Sequence, residues 1–166
     1  FMEEAYAQGK LKGYSDGSFK PNSELKRIQA ISIMVRALKL EGKGIAPYTD
    51  ISNYSIETQN EIAAAYEAGI IKKTKGQLNP SDKISREELA RMFLNAYEYV
   101  KKQRYEAGAT APFTDIQKLD EESKLAVTLL YNFKIVQGSN GQFKPESFTT
   151  RAHASKMFVN FMQLVK

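Results

Sequence analysis

A mainly α fold, in which three helix-loop-helix repeats pack with pseudo-threefold symmetry around a central helical bundle, is predicted by three features of this 166-residue chain. A glycine-proline block occurs three times, as Asp16-Gly17-Ser18-Phe19-Lys20-Pro21, Lys75-Gly76-Gln77-Leu78-Asn79-Pro80 and Asn140-Gly141-Gln142-Phe143-Lys144-Pro145. Six residues after each proline stands an arginine, Arg27, Arg86 or Arg151, at the head of an amphipathic segment. Finally, Ala46-Pro47-Tyr48-Thr49-Asp50-Ile51 returns as Ala111-Pro112-Phe113-Thr114-Asp115-Ile116. A unit of roughly 60 residues whose apolar stripe cannot be buried alone must pack on its copies.

The repeats are assigned to residues 1–43, 44–106 and 107–166 of one domain, joined by segments 41–47 and 101–112. The first repeat is N-terminally incomplete, since no Thr-Asp-Ile block precedes Phe1, and the natural protein is expected to continue upstream. Each repeat opens on a short helical pattern with an equivalent tyrosine, Tyr6, Tyr66 or Tyr131, and an apolar residue four positions earlier, Met2, Ile62 or Val127. Residues at that spacing share a helix face, so both are read as core. In the loop that follows, Gly17, Gly76 and Gly141 serve positive φ, and Pro21, Pro80 and Pro145 give a rigid extended exit. The second helix shows its buried stripe most clearly as Leu89, Met92, Phe93, Ala96, Tyr97 and Val100. Its counterparts are Ala30, Ile33, Met34, Ala37 and Leu38, and then Ala154, Met157, Phe158, Phe161, Met162 and Val165. Ser85 and Glu88 form a capping box and Thr150 caps the third copy, while Lys26 is a poor cap beside which only Gln29 keeps the reciprocal role.

The composition, 42% hydrophobic with charge spread along the chain, is that of a folded domain. Without cysteine there is no disulfide, thiolate metal site or cysteine nucleophile. No apolar run approaches the roughly 20 residues that span a bilayer, and the N-terminus lacks signal-peptide features, so the chain is either cytosolic or a piece of a longer secreted protein. A net charge of +5 and a pI of 9.2 favour an acidic partner, whether nucleic acid, anionic lipid or anionic glycan, although scattered lysines equally describe a solvated surface. No nucleophile elbow or phosphate-binding loop occurs, and His153 is the single histidine. Asp16 lacks the spaced acids of a calcium loop. One scaffold repeated with variable site residues argues for binding over catalysis.

Gly13-Tyr14-Ser15-Asp16-Gly17-Ser18-Phe19-Lys20-Pro21-Asn22, with Arg27 at the next helix start, resembles the S-layer homology motif. That motif has a Phe-x-Asp-Val opening, a helix ending in Gly-Ile, a Gly-Tyr-x-Asp-Gly-x-Phe-x-Pro loop and a Thr-Arg-Ala-Glu helix start. The likeness covers essentially the whole chain in three copies. It implies a three-pronged, mostly helical, non-enzymatic domain without cofactor or metal. Such a domain sits outside the cell, at the bacterial cell wall or S-layer, as part of a longer surface protein. Its inter-repeat grooves hold secondary cell-wall polysaccharide, often bearing ketal-linked pyruvate. Neither nucleic-acid binding nor membrane insertion is expected. A degenerate interaction module without glycan binding is the alternative.

Arg27, Arg86 and Arg151 match the arginine of the helix-start motif, and Asp50 and Asp115 match its opening aspartate. A guanidinium at a helix N-terminus offers paired donors to a carboxylate where the helix dipole also favours an anion. The loop amides near Tyr14 and Ser15, or near Ser139 and Asn140, are further candidates for sugar hydroxyls, and Tyr14 for an apolar sugar face. Structural readings stand beside these: an arginine there can pair with an acid and pin the helix entrance, and an aspartate can make an Asx turn. The chain departs from the motif in Lys26-Arg27-Ile28-Gln29, in His153 where the third copy should carry an acid, in Lys73-Thr74-Lys75-Gly76, and in having no tryptophan.

Overall fold

The computed structural model describes residues 22–72 and 76–165. Tyr6, Met2, Tyr14, Ser15, Asp16, Gly17 and Pro21 fall outside the described residues. Among the described residues five helices follow one another: α1 (Arg27–Leu38), α2 (Ile56–Glu67), α3 (Arg86–Lys101), α4 (Glu121–Asn132) and α5 (Arg151–Val165). The β structure among the described residues consists of isolated bridges. The mainly α expectation is met.

Local chemistry starts each helix. Ser55 accepts from Thr58 N at 3.1 Å, Asp120 from Ser123 N at 2.8 Å, Ser85 from Glu88 N at 3.1 Å and Thr150 from His153 N at 3.2 Å. Each such cap contributes about 1 kcal/mol. At the poor cap Lys26, Gln29 Oε1 accepts the backbone N–H at 2.8 Å, as expected. The capping box at Ser85 is only half made. Glu88 reaches the Ser85 hydroxyl with one oxygen, at 3.3 Å, and turns the other toward Arg27, because a full positive charge outcompetes a backbone N–H for a carboxylate.

The long helix of one repeat packs on the short helix of the next: α1 on α2 and α3 on α4, with α3 also touching α5. In the α1–α2 contact, Gly42 lies so close to α2 that a Cβ would stand 2.5 Å from Asn60 O. Glu61, 9% exposed, is satisfied there by the Ser32 hydroxyl and by Arg36 Nε at 2.8 Å. In the α3–α4 contact the Ser123 hydroxyl donates to Glu87 at 2.7 Å. A buried carboxylate is tolerable only when so bonded.

Three short segments preceding the long helices meet in a cycle. Glu24 bridges Thr150, Lys26 bridges Lys83, and Ser85 bridges Phe148. Leu25 N donates to Thr149 O at 2.7 Å and Ile84 N to Leu25 O at 3.0 Å, with Leu25, Ile84 and Thr149 all buried. Helix starts carry N–H groups without intrahelical acceptors. Here Arg27 N donates to Asp82 O, Arg86 N to Ser147 O and Arg151 N to Ser23 O, each at 2.8 Å. Each long helix is thus capped by the loop of another repeat, first by second, second by third, third by first. Beneath this cycle Met34, Phe93 and Phe158 occupy equivalent positions with at most 1% exposure, and Phe93 lies 4.8 Å from Phe158 and 4.9 Å from Phe161 between ring centroids.

The predicted stripes are buried or packed against this core throughout. Ile62 and Val127 are core, but their tyrosine partners are not equally so. Tyr66 is half-buried and edge-on to Tyr48, whereas Tyr131 is 38% exposed and edge-on to Phe113. A tyrosine at the rim keeps its hydroxyl wet while its ring edge packs, so the core reading of Tyr131 is corrected to a contact at the rim.

Candidate functional site

The loop after each short helix is held by the opening aspartate. Asp50 accepts Leu78 N on one oxygen at 2.9 Å and Asn79 N on the other at 2.8 Å. Asp115 does the same with Phe143 N and Lys144 N, both at 2.8 Å. Beside them Thr49 N donates to Gly76 O at 2.7 Å and Thr114 N to Gly141 O at 2.9 Å. Gly76 and Gly141 have φ of +79° and +74°, as the turn requires. Although burial pushes the Asp50 carboxyl up, the two backbone N–H groups and the Arg27 charge outweigh it and hold the group below its ordinary value. Both aspartates therefore organise loop backbone.

Each fixed loop forms one wall of a groove, and the arginine of the preceding repeat forms another. The Arg27 groove, of about 340 Å³, runs between Arg27, Leu78, Asn79 and the α3 face at Glu88, Arg91 and Asn95. The Arg86 groove, of about 520 Å³, runs between Arg86, Phe143, Lys144 and the α5 face at His153, Lys156 and Asn160. These linings correspond position by position in the repeat.

The two arginines are held differently. Arg27 is enclosed: Nη2 and Nε reach Glu88 Oε2 at 2.6 and 3.1 Å, and Nη1 reaches Asn79 O at 2.6 Å and Leu78 O at 3.2 Å. Arg86 donates through Nε to Phe143 O at 2.8 Å, with its guanidinium 4.8 Å from the centre of the Phe143 ring. Among the described residues no carboxylate lies within ion-pairing distance of Arg86. Burial lowers the Arg86 pKa, with the charge of Asp115 opposing. His153 occupies the place of Glu88, and burial together with Arg86 and Lys156 holds its pKa below 6.5.

Arg151 is 4% exposed. Its counterpart loop, with Tyr14 and Ser15, falls outside the described residues. Ser139 lines the Arg86 groove, but its backbone N–H donates to Gln142 O at 2.9 Å, which removes that amide from the expected glycan donors and leaves the hydroxyl. Asn140, at φ +52°, is exposed at the turn beside it. Sequence reasoning missed Lys134, Lys144, Lys156 and Asn160. Aligning whole repeats, rather than the glycine block alone, sets Lys156 beside Arg91 and Asn160 beside Asn95. Among the described residues no cluster of acids and histidine could hold a metal ion, and no helix is long and apolar enough to cross a membrane.

Repeats interlocked through their helix starts, with polar grooves between them, define a repeat-built binding module. The chain belongs to the S-layer homology domain family, which matches residues 1–31, 47–90 and 112–155. Its relatives include an endoglucanase of Bacillus sp. strain KSM-635, 30% identical over 95% of this chain and 17% of the relative. An amylopullulanase of Thermoanaerobacterium thermosulfurigenes is 26% identical over 92% of this chain and 8% of the relative. The S-layer protein sap of Bacillus anthracis is 28% identical over 90% of this chain and 18% of its own length. The chain therefore spans less than a fifth of these proteins. Family membership places it at the bacterial cell wall or S-layer.

Proposed function

We propose that this chain is an anchoring module that attaches a larger surface protein to the cell wall by holding an anionic secondary polysaccharide, of the pyruvate-bearing kind, in grooves between its repeats. In this reading the repeats at 1–43, 44–106 and 107–166 form a pseudo-threefold unit, and catalysis, where the whole protein has any, belongs to other domains. The observation that carries it is the Arg86 groove, an open cleft lined by Arg86, Lys134, Lys144, Lys156 and His153 without a carboxylate among its lining residues. Such a surface favours a carboxylate-bearing sugar, and arginine suits the fork geometry of that group. Arg27, Arg151, Asp50, Asp115, Tyr14, Ser15, Ser139 and Asn140 complete the proposed contacts or support them from behind.

The test is co-sedimentation with Gram-positive wall sacculi, intact and stripped of secondary polymer, with generic DNA as a control for charge alone. Binding confined to intact sacculi supports anchoring; equal binding to both, or to neither, overturns it. A second reading, a scaffold retained for protein interaction, is favoured by the pairing of Arg27 with Glu88. It predicts a protein partner and indifference to wall polymer.

A further inference from the structure

Resting on that functional reading, we propose that the grooves are not equivalent: the Arg86 groove is the oxyanion site, for a carboxylate or phosphate on a sugar, and the Arg27 groove accepts only uncharged sugar, with residue 153 against residue 88 deciding the difference. The scaffold of the two is the same. Asp50 and Asp115 each tie two loop N–H groups, and Arg27 and Arg86 each reach a carbonyl of the loop. What differs is compensation of charge. Glu88 neutralises Arg27 at 2.6 Å. An oxyanion entering there must displace a carboxylate already bonded to the guanidinium and lie beside it, which like-charge repulsion opposes.

In the Arg86 groove the repeat-equivalent of Glu88 is His153, and the equivalents of Leu78 and Asn79 are Phe143 and Lys144. The change removes one negative charge and adds one positive charge at corresponding positions. Among the described residues Arg86 keeps both Nη groups for a ligand, because Nε alone makes its hydrogen bond to the loop and the ring of Phe143 supports the guanidinium. Two parallel N–H donors fit a carboxylate or a phosphate. Asp115 offsets part of this charge from behind the loop, and Asp50 stands at the equivalent position beside Arg27 in the other groove, so the aspartates are common to both.

The experiment is an amide-shift titration of the ¹⁵N-labelled full chain with three probes: a methyl hexoside carrying a pyruvate ketal, a hexose phosphate, and the uncharged methyl hexoside. The two charged probes should move Phe143 and Lys144 at concentrations that leave Leu78 and Asn79 in place, and their relative affinities separate carboxylate from phosphate as the preferred group. H153E, which restores the acid of the other groove, should weaken charged-probe binding at least tenfold. K144E, on an exposed side chain, should weaken it too and serves should H153E fail to fold. E88Q should leave the Arg86 groove unchanged and bring Leu78 and Asn79 into the response. Equal response of both grooves in the unmodified chain, or charged-probe binding untouched by H153E and K144E, overturns the proposal. Wall sedimentation separates the two levels. Oxyanion binding at Phe143 and Lys144 with no wall binding sinks anchoring and supports the groove assignment, while wall binding insensitive to H153E and K144E keeps anchoring and sinks the assignment.

Discussion

The Arg27 and Arg86 grooves have one backbone design and opposite electrostatics. In the first, a guanidinium meets one carboxylate and two carbonyls and acts as a clamp between repeats; in the second, it meets one carbonyl and an aromatic ring and leaves donors toward solvent. A repeat can thus keep its fold while individual copies take on joining or binding. The aspartates, which fasten loop backbone in both copies, maintain the shape. The residue at the N-terminal turn of the next helix, Glu88 or His153, sets the charge.

The largest effect expected is one that breaks both grooves together. Phe93→Ala empties a fully buried position against Phe158 and Phe161, and should cost about 3–5 kcal/mol in denaturant unfolding, with ligand binding lost throughout. Asp50→Ala and Asp115→Ala should each cost about 1–3 kcal/mol by leaving two loop N–H groups without their charged acceptor. Their amide-shift changes should stay within the groove each belongs to; changes spread over both grooves would refute independent loops. A double-mutant cycle on Arg27 and Glu88 should return a coupling of about 1 kcal/mol, since the pair is partly screened. The corresponding cycle on Arg86 and His153 should return none or a slightly repulsive value.

A smaller effect concerns pH. Because the folded pKa of His153 is lowered, the unfolded chain takes up the proton first, so this residue's contribution to stability is complete above 6.5 and declines as pH falls toward the folded value. H153Q should remove that slope. Arg86 on α3, Lys156 on α5, and Lys134 and Lys144 in the loop are the groove's other charges. An anion placed among them favours the protonated imidazole, so oxyanion affinity should rise between pH 7.5 and 5.5 in the unmodified chain and stay flat in H153Q. The smallest effect is that of Tyr48→Phe. The Tyr48 hydroxyl is buried without a hydrogen-bond partner among the described residues, its pKa is pushed up to about 12 by burial, and the equivalent residue is already Phe113. Calorimetry should show unchanged or slightly raised stability, within about 0.5 kcal/mol.

The glycine turns, the helix starts and the buried stripes were legible in the chain because each rests on residues a few positions apart. The three arginines were also visible as a set, and so were Asp50 and Asp115. Their different fates were not. Glu88 looked like the reciprocal half of a capping box, an interaction three residues long, until Arg27 arrived from 61 residues away to take its carboxylate. The Ser139 amide looked free until Gln142 closed the turn over it.

Repeat period, helix type, the side-chain caps Ser85 and Thr150 and the need for glycine at Gly76 and Gly141 were determined by the sequence alone, since backbone sterics and helical periodicity act over a single turn or stripe. Which loop caps which helix, and which arginine is neutralised, was decided only by the tertiary structure. Those contacts join residues at least 51 positions apart, and their partners are selected by how the repeats pack, which no local pattern contains.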